Sequence, residues 1–191
     1  MARSLPLGAP RVLELARVQP YPADAIRLTP NYSARPASVC AVRCVVLHAT
    51  ADRGNESAAE SWMQSPASQV SAHLHIRRSG AVVRLVPDER KAWHAGVSEW
   101  RGAPDVNAYS LGWEFANRND GLEEYTDAQY QIAALLAAHY VQQGLLAASF
   151  VSHAAVARPL GRKNDPLGFD WHRFHTGVTE LLQPSAGPRC V

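Results

Sequence analysis

Between Val39 and Leu182, short β-branched runs alternate with amphipathic helical patterns, and this alternation restricts the fold more than any other feature of the chain. Val42 to Leu47 is an apolar run of strand length that leads into His48; its β-branched side chains suit a pleated surface and lose freedom in a helix. Asn55 is placed to cap a helix over Glu56 to Gln64, which Pro66 closes. Val70 to Ile76 and Ala81 to Val86 flank Arg77-Arg78-Ser79-Gly80, a hairpin pattern with glycine at the turn. Tyr109 to Ala116 reads as another strand. Thr126-Asp127-Ala128-Gln129 is a capping box; the helix it opens carries Ile132, Leu135, Leu136 and Val141 on its apolar stripe and ends at Gly144. A further helix is expected from its cap at Asp170 to Leu182, stopped by Pro184. Strands mixed with helices predict one α/β (α+β) domain, a central mixed β-sheet flanked by helices.

A length of 191 residues allows one well-buried core and is short for two full domains. Pro6, Pro10, Pro20, Pro22, Pro30 and Pro36 mark residues 1–38 as an extended Pro/Arg-rich arm lying on the domain; residues 39–183 form the domain and 184–191 a C-terminal tail. A formal net charge of +2, with no basic run beyond Arg77-Arg78 and Arg90-Lys91, argues against nucleic acid as a partner. No apolar run approaches the roughly 18 to 20 residues of a membrane span, so membrane insertion is not expected. Prolines and charges interrupt MARSLPLGAPRVLELARVQP where a signal peptide needs an unbroken apolar stretch, so synthesis without export by the general secretory route is expected. Cys40, Cys44 and Cys190 are odd in number and read as free thiols, not as a disulfide framework. The chain is expected to be a monomer.

Among the histidines, two constellations have the makings of a metal site. His73 and His75 stand at i and i+2 on a strand and therefore share a side. His48 at a strand end, His153 in a loop before a short helical turn, and Asp165 just beyond form the other set. A catalytic zinc takes three protein ligands from N, O or S donors and keeps a position open for water. Spacing alone does not choose between the two sets. His139, inside the long amphipathic helix, and the pair His172 and His175 read as packing or surface residues.

The segments CVVLHAT, VSAHLHIRRSGAVVRLVP, KAWHAGVSEWRG, NAYSLGWEFAN, YTDAQY, SHAAVARPLGRKNDP and FDW occur in the order seen in amidase-2 type N-acetylmuramoyl-L-alanine amidases, and the chain resembles that family from about Val42 to Phe174. The family includes AmpD enzymes of peptidoglycan recycling, phage endolysins and peptidoglycan-recognition proteins. The resemblance implies zinc (Zn2+) as cofactor, with His48, His153 and Asp165 as its ligands. It makes Glu114 the general base and Lys163 an oxyanion stabiliser, the latter one of only two lysines, with Lys91. Trp93, His94 and Asn107 match positions that shape the substrate groove, and His73 becomes a sheet residue near the site.

Two departures stand out. The family's DPGP-x-FDW reads DPLGFDW here, one residue shorter, and the His48–Ser71 connection is short, which predicts a more open groove. The implied activity is hydrolysis of the amide between N-acetylmuramic acid and L-alanine, with peptidoglycan or a muropeptide as substrate. A phage-type endolysin is the first expectation; a cytoplasmic amidase recycling 1,6-anhydro-muropeptides, or a non-catalytic peptidoglycan binder, are the alternatives.

Overall fold

The computed structural model describes residues 13–14, 20–52, 55–145 and 149–183. Strands β1 (Leu13–Glu14), β2 (Ala25–Ile26), β3 (Tyr32–Ala34), β4 (Ala41–Val42) and β5 (Cys44–Ala49) lead to helix α1 (Glu56–Gln64). Strands β6 (Leu74–Ile76), β7 (Val82–Arg84), β8 (Arg90–Ala92), β9 (Glu99–Trp100), β10 (Ala103–Pro104) and β11 (Ser110–Phe115) follow. Helix α2 (Asp127–Gln142), β12 (Phe150–Ser152), α3 (His153–Val156) and α4 (Trp171–Leu182) complete the order. The central sheet runs β12-β5-β11-β6-β7-β2. Its first four strands are parallel, β6 and β7 form the antiparallel hairpin around Gly80, and β2 joins β7 in parallel. The mixed sheet flanked by helices is therefore the one the strand and helix patterns predict.

Alternation along the strands decides what each face meets. Val45 and Leu47 of β5 and Leu111, Trp113 and Phe115 of β11 point toward α2 and α4, packing with Leu136, Tyr140, Phe174 and Val178. Cys44 and Val46 point the other way, into a smaller cluster with Ala95, Val106, Tyr109 and Val156. With both faces covered, β5 is buried along its whole length, as inner strands of parallel sheets are. The helix starts are as expected: Asn55 accepts from the Ala58 N–H, Thr126 and Gln129 close a capping box, and Asp170 accepts from the Arg173 N–H.

Three differences matter for the site. The first strand runs through His48 to Ala49 instead of stopping before the histidine. Phe150–Ser152, too short to show a periodicity, is a strand, so His153 opens a helix directly after the sheet's edge. Residues 25–34 also pair with the domain, because β2 supplies the sheet's last strand and β3 pairs with β8. Thr29 and Asn31 are buried. The Thr29 hydroxyl donates to the Met63 carbonyl, and the Asn31 amide nitrogen lies 2.8–3.1 Å from acceptors on Met63, Ser65, Ser68 and Val70. These bonds hold the C-terminal end of α1. Its middle is held by Glu60, fully buried, which accepts from Arg77 at 2.7 and 2.9 Å and meets His75 Nδ1 at 3.0 Å and Arg27 at 3.0 Å.

Asn31→Ala removes the donor that these buried carbonyls share, so a loss of about 2 kcal/mol is expected. Urea unfolding followed by tryptophan fluorescence measures it, and a midpoint equal to that of the unsubstituted protein would show that the arm does not hold α1.

Candidate metal centre and active site

Parallel pairing brings three strand ends to one place. Glu114 lies opposite His48 across β11 and β5, and Ser152 lies opposite Leu47 across β12 and β5, so His153 comes next at the same edge. Open sheets bind ligands at the carboxyl ends of such strands. Two-residue alternation puts His48 on the Val46 side and Glu114 on the Gly112 side, away from α2 and α4. Asp165 reaches the site from the following loop, which is tied down where the Ala154 N–H donates to the Asp165 carbonyl at 3.0 Å.

The Oδ2 atom of Asp165 lies 3.3 Å from His48 Nδ1 and 3.0 Å from His153 Nδ1. The three side chains are buried, and among the described residues they form the group of His, Cys, Asp and Glu donors able to hold a metal. Tetrahedral bonds of 2.0–2.1 Å place neighbouring donors about 3.3 Å apart, so these spacings fit a zinc-sized ion with little movement. The protonation states fit as well. Burial lowers the His48 imidazole to about 4, against the pull of Asp165, so the ring is neutral and can offer a lone pair. For Asp165, burial works upward, but hydrogen bonds from His153 and His48 together outweigh it and hold the carboxylate well below the usual range. With a cation in place of the proton on His153 Nδ1, the ring's remaining proton would sit on Nε2, 3.2 Å from the Ala95 carbonyl that accepts it.

Glu114 and Lys163 border the same cavity of about 500 Å³, together with all three metal-site side chains. Burial raises the Glu114 carboxyl to about 8, Asp165 adds to the rise, and Lys163 opposes it. Lys163 is exposed at the rim. The short His48–Ser71 connection carries α1, which lines the cavity with Ala58, Ala59, Trp62 and Met63. Trp62, 59 % exposed there, is a site residue the sequence reading missed, since an isolated tryptophan on a short amphipathic helix carries no signal of its own.

The remaining expected residues fall in different places. Trp93 lines the cavity while its indole N–H donates to Ser33 at 3.3 Å. His94 also borders it, but both ring nitrogens are engaged, one 3.0 Å from His48 Nε2 and the other 3.1 Å from the Ser110 hydroxyl. Asn107 is buried away from the cavity lining, its side-chain oxygen accepting from the His94 and Ala95 N–H groups. His73 is fully buried; its Nδ1 accepts from the Gly112 N–H and its Nε2 lies 3.0 Å from the Arg90 carbonyl. With His75 bound to Glu60, the i, i+2 histidine pair does not converge on a metal site.

Known proteins carry the same arrangement of motifs and fold. Residues 38–168 match the family model Amidase_2, described as N-acetylmuramoyl-L-alanine amidase. The chain is 43% identical over 113 residues to the 1,6-anhydro-N-acetylmuramyl-L-alanine amidase AmpD of Citrobacter freundii, a stretch covering 58% of each protein. A crystal structure of AmpD superposes with a TM-score of 0.70 at 30% identity, covering 83% of this chain and 96% of that one. The amidase AmiD of E. coli, in complex with anhydro-N-acetylmuramic acid-L-Ala-D-gamma-Glu-L-Lys, gives a TM-score of 0.63 at 27% identity over 84% of this chain and 61% of that one. The family match spans most of the chain and includes His48, Glu114, His153, Lys163 and Asp165, so this protein belongs to the amidase-2 family of N-acetylmuramoyl-L-alanine amidases.

Proposed function

We propose that the protein is a zinc-dependent N-acetylmuramoyl-L-alanine amidase that hydrolyses soluble anhydromuropeptides, a recycling enzyme of the cytoplasm and not an endolysin. The observation that carries this reading is the convergence of His48, His153 and Asp165 beside a half-buried carboxyl with a raised pKa, Glu114, in one cavity. Zinc held by those three side chains would supply a Lewis acid for the amide carbonyl and make water at the site more acidic.

The chain's own groups account for the proton transfers. Glu114 takes a proton from the attacking water as its oxygen bonds to the carbonyl carbon. It returns that proton to the alanine nitrogen as the C–N bond breaks, and a carboxyl titrating near neutrality suits both duties. The Lys163 ammonium stabilises the negative charge that grows on the carbonyl oxygen. Asp165 stays anionic and His48 neutral, so the roles of the two carboxyls are separated by their surroundings.

Support for a soluble substrate comes from the AmpD relative, named for a 1,6-anhydro amide, and from the AmiD complex with an anhydromuramyl peptide. The endolysin expectation leaned on an open groove, whereas α1 closes one side of a cavity whose size suits small ligands. No helix among the described residues is long and apolar enough to cross a membrane.

Glu114→Gln is expected to keep zinc and fold while kcat falls by about 10² to 10⁴; turnover within tenfold of the unsubstituted enzyme would remove the assigned base. The same substitution has a second signature in metal-free protein. Because the folded state binds the Glu114 proton more tightly than the unfolded state, native stability falls as pH rises from about 4.5 to about 8. The glutamine variant escapes that fall, so its melting temperature should overtake the native one across this window and the gap should stay constant above it. Lys163→Met should lower kcat by about a hundredfold or more, measured on the same soluble substrate. Finally, purified enzyme given whole sacculi and soluble anhydromuropeptide side by side should cleave the soluble compound and stop on addition of a chelator. Efficient sacculus cleavage would restore the endolysin reading, and chelator-insensitive turnover would end the metal mechanism.

A further inference from the structure

His94 touches His48 and rests on the strand that carries Glu114. Its Nδ1 lies 3.0 Å from His48 Nε2, with ring centroids 5.0 Å apart and planes at 82°. Two imidazole nitrogens at that distance need one proton between them. His48 Nδ1 faces Asp165 at 3.3 Å; once a cation replaces the proton it shares with that carboxylate, the remaining proton of the neutral ring sits on Nε2 and donates to His94. The His94 proton is then on Nε2, 3.1 Å from the Ser110 hydroxyl, which accepts it.

The seat of the His94 ring is narrow. A Cβ on Gly112 would stand 2.5 Å from His94 Cγ, closer than such atoms approach, so only glycine leaves room for the ring. Asn107 fixes the backbone of the same segment, accepting from the His94 N–H at 3.1 Å and the Ala95 N–H at 2.8 Å. Ala95, the next residue, turns its carbonyl to His153 Nε2 at 3.2 Å. One two-residue segment thus orients both histidines of the metal centre, one through a side chain and the other through a carbonyl. A hydrogen bond from His94 to substrate would break one of the two bonds its ring nitrogens already make.

We propose that His94 is a positioning residue: it fixes the tautomer and ring orientation of His48, with Ser110 behind it and bare Gly112 backbone beneath it. This rests on the zinc reading of His48, His153 and Asp165. Metal-ligating imidazoles owe part of their affinity to such an outer partner, whose loss costs about ten- to a hundredfold.

Zinc affinity, measured by competition with a chromogenic chelator, tests the idea in the unsubstituted protein, His94→Ala and His94→Asn. His94→Ala should bind zinc about ten- to a hundredfold more weakly. His94→Asn should bind close to the unsubstituted value, because its amide oxygen takes the place of Nδ1. The visible spectrum of the cobalt-substituted protein should change in the alanine variant and be restored in the asparagine one. A folded His94→Ala protein with undiminished zinc affinity would overturn the positioning role. Failure of the unsubstituted protein to bind zinc would instead overturn the metal reading beneath it. If His94→Ala does not fold, nitrogen-15 NMR of the zinc-loaded unsubstituted protein decides. A His48 proton on Nε2, protected from exchange, upholds the proposal, and a proton on Nδ1 overturns it.

Discussion

Backbone hydrogen bonds between β5 and its two parallel neighbours set Glu114 level with His48 and Ser152 level with Leu47, so that His153 follows at the same level. Everything at the site follows from that alignment. His48 and Glu114 face each other across one ladder, and His153 follows the end of the other. A register shift of one residue would turn His48 or Glu114 to the face where α2 and α4 pack. The large side chains on that face, Trp113, Phe115, Tyr140 and Phe174, therefore protect the chemistry on the opposite face by making such a shift too costly.

The site then uses one physical effect in two directions. Burial alone would raise both carboxyls, and it does raise Glu114, which has no hydrogen-bonding cation to counter it. Burial also pushes Asp165 upward, but hydrogen bonds to two histidine nitrogens within 3.3 Å reverse the sign. Two carboxyls in one cavity are thus shifted in opposite directions, Asp165 toward the anion and Glu114 toward the protonated form.

The walls are supported from far along the chain. Residues 25–34, proline-rich in their surroundings and unremarkable by pattern, close the sheet's edge and hold α1, while α1 turns Trp62 into the cavity. Glu60 anchors the same helix by drawing in Arg27 from one segment and His75 and Arg77 from the end of β6. A buried glutamate on an exposed-looking helix and a strand two residues long leave no periodic trace, which explains why neither was legible beforehand. Asn107 and His94 were legible as motif positions, but their partners are other motif residues and the backbone between them, and only folding brings these together.

The sequence by itself determined the mixed α/β sheet, the capped helices and the family, because periodicity, capping residues and ordered motifs are local properties of the chain. Composition and spacing left two histidine sets equally open as metal sites. Resemblance favoured His48, His153 and Asp165, and the tertiary structure brought those three within bonding reach of one another while directing His75 to Glu60. It also decided that residues 25–34 pair with the sheet and with β8, that α1 lines the cavity, and that His94 faces His48. The physical reason is common to all of these: convergence of side chains from strands far apart in sequence is set by register and packing, which no single stretch of residues encodes.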